Sequence, residues 1–226
     1  MGRLTDTEQI RIYCNNNPGG VLDLSYASKR IFKDIPIDNL RKYLSRLCEE
    51  GVITKISKGI FLIGHSEKSD LERIINYYAD DTFGMIAGEE LLYRFGLIDC
   101  KPDIVEIFTN KTSGNKYIEK LGVQLIENHS NFLTILGSRN LAIALELAAH
   151  EHLIPELEKP AYYFRLHELL KRYSDRSFRA DHEIIYKRLI YIKLESILNT
   201  MGISNKVMEI YDNKTRISNN SKRKKL

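Results

Sequence analysis

The chain has 226 residues, 43% of them hydrophobic and 28% charged, which is enough apolar material for one large packed domain or two small ones. It has no run of about 18 apolar residues and no apolar stretch after Arg3, so we expect neither a membrane span nor a secretory signal. The three cysteines, Cys14, Cys48 and Cys100, form no Cys-x-x-Cys pair. This favours reduced thiols in the cytoplasm over a disulfide framework or a zinc ribbon.

Charge is distributed unevenly along the sequence. Residues 1–64 contain 10 Lys and Arg against 7 Asp and Glu, and residues 201–226 contain 7 against 2. Residues 65–200 contain 17 against 21 and are net acidic. The basic ends favour contact with nucleic acid, although charges of this size are also common on proteins that bind none.

The first 64 residues predict three helices followed by a hairpin. A capping box formed by Thr5 and Glu8 begins the first helix, and the Asn-, Pro- and Gly-containing segment 15–20 ends it. Two further helices are predicted at 23–32 and 37–50, the latter ending at Gly51. Two apolar, β-branched runs joined by Ser57-Lys58-Gly59 then predict a hairpin, with strands at 52–56 and 60–63.

The predicted third helix is amphipathic. At about 100° per residue its apolar face contains Ile37, Leu40, Leu44, Leu47 and Cys48. The polar arc and the hairpin together provide the candidate DNA-binding residues, which are Asn39, Arg41, Lys42, Ser45, Arg46, Lys55 and Lys58. On this pattern Arg46 lies at the centre of the outward arc, about 180° from Ile37.

Three helices followed by a hairpin is the order of a winged helix-turn-helix, which predicts binding to double-stranded DNA. One helix fits the major groove, where Arg and Asn can pair with base edges and Lys and Ser can contact phosphates. Two copies would match an inverted repeat. An alternative stays open, because Asp38 and Glu49 on the same arc would repel phosphate. Winged helices also serve as protein-interaction modules without specific DNA binding.

The rest of the chain predicts a small α+β domain followed by helices. The predicted helices are 69–78, 86–95, 138–150, 161–173 and 178–200, and the predicted strands are 103–109, 123–126 and 132–136. The predicted fold class is therefore α+β. The predicted divisions are a winged helix-turn-helix domain at 1–66, an α+β domain at 67–154, a helical region at 155–212 and a disordered basic tail at 213–226.

The sequence contains no motif that supports catalysis, metal binding or cofactor binding. Gly137-Ser138 resembles the start of a nucleotidyltransferase motif, but only Glu146 follows where an Asp-x-Asp or Asp-x-Glu pair would bind magnesium. The segment His150-Glu151-His152 lacks the His-Glu-x-x-His spacing that places two ligands on one helix face. We therefore expect a protein that is not an enzyme and that holds neither metal nor cofactor.

Two segments resemble the AbiEi-type antitoxins, transcriptional regulators of bacterial abortive-infection toxin–antitoxin systems. Residues 40–53, followed by Lys58-Gly59-Ile60-Phe61, are similar to the family pattern "LsRL-x-x-x-G-x-I … x-G-x-Y/F". Residues 88–97 are similar to its later "LGL" segment, with Phe95 where the family often has Leu. The resemblance covers roughly residues 5–150. It implies a winged helix that binds inverted repeats in its own promoter, and a following domain that counters a nucleotidyltransferase-like toxin.

Overall fold

The computed structural model describes residues 5–80, 82–128, 138–181 and 186–223. The chain divides into two compact units, one made of Met1–Asp80 and Glu106–Glu127 and the other of Asp81–Val105 and Asn128–Leu226. Helices and short strands occur together, which confirms the predicted α+β class. The predicted strand at 132–136 lies outside the described residues.

The secondary structure is mainly helical. The helices are α1 (Asp6–Asn16), α2 (Leu24–Arg30), α3 (Ile37–Glu49), α4 (Asp70–Tyr78), α5 (Gly88–Arg94), α6 (Ser138–Ala149), α7 (Lys159–Leu170), α8 (Asp175–Asp181), α9 (Arg188–Thr200) and α10 (Val207–Arg223). The strands are β1 (Val21–Asp23), β2 (Ile53–Ser57), β3 (Ile60–Ile63), β4 (Gly84–Ala87), β5 (Val105–Thr109), β6 (Lys116–Ile118) and β7 (Val123–Glu127). Single 3-10 turns occur at Glu119–Leu121, Glu151–Leu153 and Glu156–Glu158.

The first unit begins with α1, β1, α2, α3 and the β2–β3 hairpin. The strands form an antiparallel sheet in the order β1-β3-β2. Sequence analysis does not predict β1, because three residues are too few to show an alternating pattern. In the hairpin Ser57 pairs with Ile60, and a register irregularity between Lys55 and Ser57 leaves a tight turn of Lys58 and Gly59.

Side-chain caps mark the start of the first two helices, α1 and α2. The Thr5 hydroxyl accepts a hydrogen bond from the Glu8 amide, while the Glu8 carboxylate accepts one from the Thr5 amide, so the predicted capping box is present. Asp23 caps α2 by accepting from the amides of Ser25 and Tyr26 at 2.7 and 3.2 Å. These bonds satisfy amides that have no partner within their own helix.

The three N-terminal helices pack on the sheet around one hydrophobic core. Its buried members include Ile10, Leu22, Leu40, Leu44, Leu47 and Ile53. The buried face of α3 is therefore formed by its three leucines, and this helix is held mainly by the apolar surface that it removes from water.

A buried arginine connects α4 to the N-terminal part of the first unit. The Arg73 guanidinium donates hydrogen bonds to four backbone carbonyl oxygens, at 2.9 Å to Gly19, 3.2 Å to Gly20, 2.9 Å to Ile63 and 3.3 Å to Gly64. A planar group with five donors can satisfy carbonyls from two chain segments at once. The loop before β1 and the end of β3 are thereby joined to α4.

The buried carboxylate of Asp23 makes two long-range contacts besides its cap. It accepts a hydrogen bond from the Tyr78 hydroxyl at 2.6 Å and pairs with the Lys116 ammonium at 2.9 Å. Burial and the nearby Asp23 carboxylate raise the pKa of Tyr78 well above its ordinary value, so the phenol remains a donor. The compact unit consequently includes α4 and β6, beyond the predicted division at residue 66.

Segments β5, β7 and β6 complete the first unit as neighbouring strands in that order. The β6 and β7 strands are antiparallel, with Tyr117 opposite Gln124. The predicted strands at 103–109 and 123–126 correspond to β5 and β7, whereas β6, which begins at Lys116, is not among the predicted strands. The Lys116 ion pair with Asp23 is a long-range contact, which local turn propensity does not reveal.

The second unit contains β4 and the helices from α5 to α10. Its central carboxylate is Glu146 of α6, which is buried and accepts hydrogen bonds from the Gly88 amide at 2.7 Å and from the Tyr186 hydroxyl. The His150 ring nitrogen Nδ1 lies 3.3 Å from the same carboxylate. Among the helices that the structure describes, none is long and apolar enough to cross a membrane.

Two predictions about the C-terminal part are corrected. The single helix expected at 178–200 is instead α8 and α9, because Lys187 has extended backbone angles at the start of α9 and Tyr186 is hydrogen-bonded to Glu146. The tail expected to be disordered at 213–226 is helical up to Arg223 as part of α10, whose residues Val207 and Ile210 are buried. Residues 224–226 lie outside the described part.

We predict that Arg73→Ala lowers the free energy of unfolding by about 3 kcal/mol or more, because four carbonyl groups lose a charged, largely buried donor. Urea unfolding monitored by circular dichroism measures this change. The control Lys68→Ala, at an exposed position close in sequence, is expected to change stability by less than about 0.5 kcal/mol. Equal stabilities for the two variants would contradict the role of Arg73.

Candidate nucleic-acid interface

The predicted DNA-binding residues lie on α3 and on the β2–β3 hairpin. The exposed members are Arg41, Lys42, Ser45, Arg46, Lys55 and Lys58, and Asn39 is half-buried. All seven therefore belong to the first unit, and the polar arc of α3 is largely accessible.

The burial of α3 changes which residue is at the centre of its outward arc. Ile37, which is predicted on the apolar face, has an exposed fraction of 42%, whereas the three leucines are buried. Opposite the mean direction of the leucines, at about 100° per residue, lie Lys42 and Glu49, with Arg46 about 50° away from the centre. The prediction that Arg46 is central is thus wrong, because it counted Ile37 as a core residue.

The exposed side chains of α3 belong to two different faces. Lys42 and Arg46 point away from the core, next to Glu49. Arg41 and Ser45 follow Ile37 at helical spacing and line a cavity beside the hairpin. The seven predicted residues are accordingly divided between an outer face and a concave one.

The cavity on the concave face has a volume of about 560 Å³. Its apolar lining comes from Leu24 of α2, Ile37 and Leu44 of α3, and Phe61 of β3. Ile37, whose exposed fraction is 42%, therefore contributes to a concave site and not to the core. We name this cavity the α3–hairpin groove.

Four cations line the α3–hairpin groove. They are Arg41, Lys55, Lys58 and Lys116. Among the described residues that line the groove there is neither Asp nor Glu. Asp38 lies 2.8 Å from Arg41 as an exposed ion pair, so it neutralises part of one cation from outside the groove. The groove therefore combines an apolar lining with a positive potential.

Lys116 is the functional candidate that sequence reasoning missed. It follows Lys58 by 58 positions in the sequence, and at the groove its ammonium pairs with the buried Asp23 carboxylate and donates a hydrogen bond to the Ser25 hydroxyl at 3.3 Å. The polar and glycine-containing segment before it, residues 111–115, is typical of a turn, so the local sequence does not indicate a functional role for Lys116. Its side chain is 22% exposed and lies 2.9 Å from the Asp23 carboxylate.

The tip of the hairpin is held against the start of α2. The Gly59 carbonyl accepts a hydrogen bond from the Leu24 amide at 2.8 Å. Gly59 has a φ of +76°, which favours glycine, and a Cβ there would lie 3.5 Å from the Leu24 side chain. Lys58 therefore projects from a backbone with a defined position relative to α2.

Cys48 lines the same groove from α3. Burial raises the pKa of its thiol, and the nearby Lys55 opposes this in part. A raised pKa means less thiolate at neutral pH, so Cys48 is a weaker nucleophile than an exposed thiol. Its place in the groove nevertheless makes it a useful chemical reporter.

The residues considered for catalysis are engaged in structural contacts. Both oxygens of Glu146 accept hydrogen bonds, and the His150 ring nitrogen lies 3.0 Å from the Glu146 carbonyl oxygen. Within the described ranges, no group of three His, Cys, Asp or Glu side chains could hold a metal ion. Gly137 lies outside the described residues, and Ser138 begins α6.

We predict that Lys116→Ala lowers the free energy of unfolding by about 3 kcal/mol, because it removes the cation paired with a fully buried carboxylate. Lys58→Ala, which removes another lysine of the same groove from an exposed position, should change stability by less than about 0.5 kcal/mol. Thermal and urea unfolding of both variants provide the comparison. Similar losses in the two variants would show that the Asp23–Lys116 pair has no special role.

Comparisons with known proteins assign no family to this chain. No protein-family model matches the sequence, and no curated protein matches it either. The resemblance to AbiEi-type antitoxins therefore stays a prediction based on two sequence segments. The function must be argued from the geometry of the first unit.

Proposed function

We propose that the first unit is a winged helix-turn-helix that binds double-stranded DNA and that the protein is a transcriptional regulator. The observation that carries this proposal is the exposure of Lys42 and Arg46 on α3 beside a hairpin that carries Lys55 and Lys58. The order of α1, β1, α2, α3 and the hairpin supports it, since this is the order of winged-helix domains.

In this proposal the outer face of α3 enters the major groove, which is wide enough for one helix. Lys42, at the centre of that face, contacts a phosphate or a guanine edge, and the half-buried Asn39 near the N-terminal end is placed for an adenine edge. Arg46 lies nearer the C-terminal end, where a backbone contact is more favourable, because base contacts usually come from the first turns of a recognition helix.

The hairpin supplies a second point of contact. Lys58 projects from a turn held against α2, so its ammonium can contact a phosphate beside the one reached by α3. The Asp38–Arg41 ion pair at 2.8 Å reduces the repulsion that the Asp38 carboxylate would exert on phosphate. Because the unit would cover one half-site, we infer binding to inverted repeats by two copies.

We extend the proposal to a protein partner of the second unit. Large apolar side chains are strongly exposed there, with fractions of 91% for Leu157, 61% for Phe164 and 71% for Leu189. Side chains of this kind can be covered by a partner. The resemblance stated above suggests a nucleotidyltransferase-like toxin, and a winged-helix protein that only binds other proteins is the alternative.

The DNA-binding proposal predicts that affinity for the DNA upstream of the gene exceeds that for random DNA and falls steeply with salt. Lys42→Ala and Lys58→Ala should each reduce the slope of log K against log salt by about one, because each removes one phosphate contact. Fluorescence anisotropy with both duplexes at several salt concentrations measures these slopes.

Lys120→Ala is the matched control for this experiment, since it removes an exposed lysine of the same unit that belongs neither to the predicted DNA-binding residues nor to the lining of the groove. It should leave both affinity and slope unchanged. If the upstream duplex has no advantage over the random one at about 150 mM salt, and neither lysine variant differs from the control, DNA binding by this face is excluded.

The partner proposal predicts that Phe164→Asp abolishes binding to a cognate toxin, because it places a charge where an apolar contact would be made. DNA affinity should be unchanged, since Phe164 belongs to the second unit. Co-purification of the two proteins, with the DNA assay in parallel, measures both effects. Retention of the toxin by Phe164→Asp would show that this surface is not the binding site.

A further inference from the structure

We propose that the α3–hairpin groove binds a small amphipathic anion, with an apolar body and a single carboxylate, sulfonate or phosphate head. A volume of about 560 Å³ lies in the range of small-molecule sites. Such sites are typically lined by apolar side chains with a few polar groups that orient the ligand. The groove has this composition.

The apolar lining distinguishes this ligand from DNA. The surface of a DNA backbone is polar and charged, so it would leave the exposed surface of Ile37 without an apolar partner. Ile37 has an exposed fraction of 42% although it is a large aliphatic side chain at the start of a helix whose leucines are buried. An alkyl or aryl group in the groove would remove this surface from water, which is favourable in proportion to the area buried.

The charges of the groove select an anion over a neutral or cationic ligand. Four cations line it, and none of its described lining residues is acidic. Asp38 and Asp23 already balance Arg41 and Lys116, so the excess positive charge of the groove comes from Lys55 and Lys58. The nearest buried carboxylate, that of Asp23, has zero exposure and is engaged by Lys116, so a ligand head would meet ammonium and guanidinium groups and not the carboxylate. Charge-assisted hydrogen bonds to such a head are stronger than neutral ones.

The ligand would also affect the proposed DNA binding, a consequence that rests on the proposed function. Arg41, Lys55 and Lys58 line the groove and belong to the predicted DNA-binding set. A head group that occupies these cations would remove them from the phosphates, so ligand and DNA would compete. The groove would then act as an effector site within the DNA-binding unit.

Decanoate, kept below its micelle concentration, is the probe, and 1-decanol is the neutral comparison with the same chain. Calorimetry should show that the full-length protein binds decanoate at least about tenfold more tightly than decanol, because charge-assisted hydrogen bonds are lost with the alcohol. Equal affinities would overturn the proposal of an anion site.

Cys48 reports directly on occupancy of the groove. In a Cys100→Ser background, where Cys14 is buried, decanoate should slow alkylation of Cys48 by iodoacetamide, while decanol at the same concentration should slow it less. Binding of decanoate without protection of Cys48 would place the ligand elsewhere and overturn the proposal.

Two groove variants and one matched control complete the test. Ile37→Asp and the double variant Lys55→Gln/Lys58→Gln should each weaken decanoate binding by about tenfold or more, since one adds a like charge and the other removes two cations. Lys42→Gln, on the outer face of the same helix, should leave it unchanged. Circular dichroism confirms that each variant is folded, and affinities equal to wild type in both groove variants would overturn the proposal.

Two further experiments test whether the ligand comes from a membrane and whether it competes with DNA. Anionic phosphatidylglycerol vesicles test a membrane source, and binding to vesicles without binding to monomeric decanoate would overturn the small-ligand proposal. Decanoate should lower the affinity of the wild type for upstream DNA but not that of the Ile37→Asp variant. Decanoate binding is measured without DNA, so a protein that binds decanoate but not DNA would contradict the proposed function and leave the ligand site intact. If bound decanoate does not change the affinity for DNA, the proposed competition between ligand and DNA is wrong.

Discussion

The buried carboxylate of Asp23 is the interaction on which the first unit depends. An ionised carboxylate removed from water is unfavourable unless its oxygens are paired and hydrogen-bonded. Asp23 meets this condition with the amides at the start of α2, the Tyr78 hydroxyl and the Lys116 ammonium. One residue that begins as a helix cap thus connects α2 to segments 55 and 93 positions later in the chain.

Arg73 has the complementary role of a buried cation without a fully buried anion. Its guanidinium is satisfied mainly by four carbonyl oxygens, and the partly exposed Asp70 carboxylate lies 3.6 Å away. Asp23 and Arg73 therefore join α4 to opposite ends of the N-terminal sheet. Asp23, the last residue of β1, contacts Tyr78 of α4, and Arg73 of α4 contacts the segment before β1 and the end of β3. These contacts stabilise the sheet, and the sheet includes the hairpin that carries Lys55 and Lys58 of the proposed DNA-binding surface.

The two faces of α3 explain how one short unit could serve two ligands. The outer face, with Lys42 and Arg46, is polar and suits DNA. The concave face, with Ile37 and Arg41, combines an apolar surface with positive charge and suits an amphipathic anion. The faces share one helix and one hairpin, so occupancy of one affects the charges available to the other. Such sharing of cations is a simple physical route to regulation of DNA affinity.

Sequence alone determined the local features of this protein: the capping box at Thr5, the amphipathic α3 and a hairpin with its turn near Gly59, because each depends on residues within a few positions. It also predicted the α+β class from the mixture of hydrophobic periods. The structure shortens the predicted three-residue connection by placing Ser57 in β2. Only the tertiary structure decided that Ile37 faces a groove, that Lys116 lies at that groove paired with Asp23 and that the compact unit extends past residue 66. These features depend on contacts between residues far apart in the chain, and helical periodicity or turn propensity carries no information about such contacts.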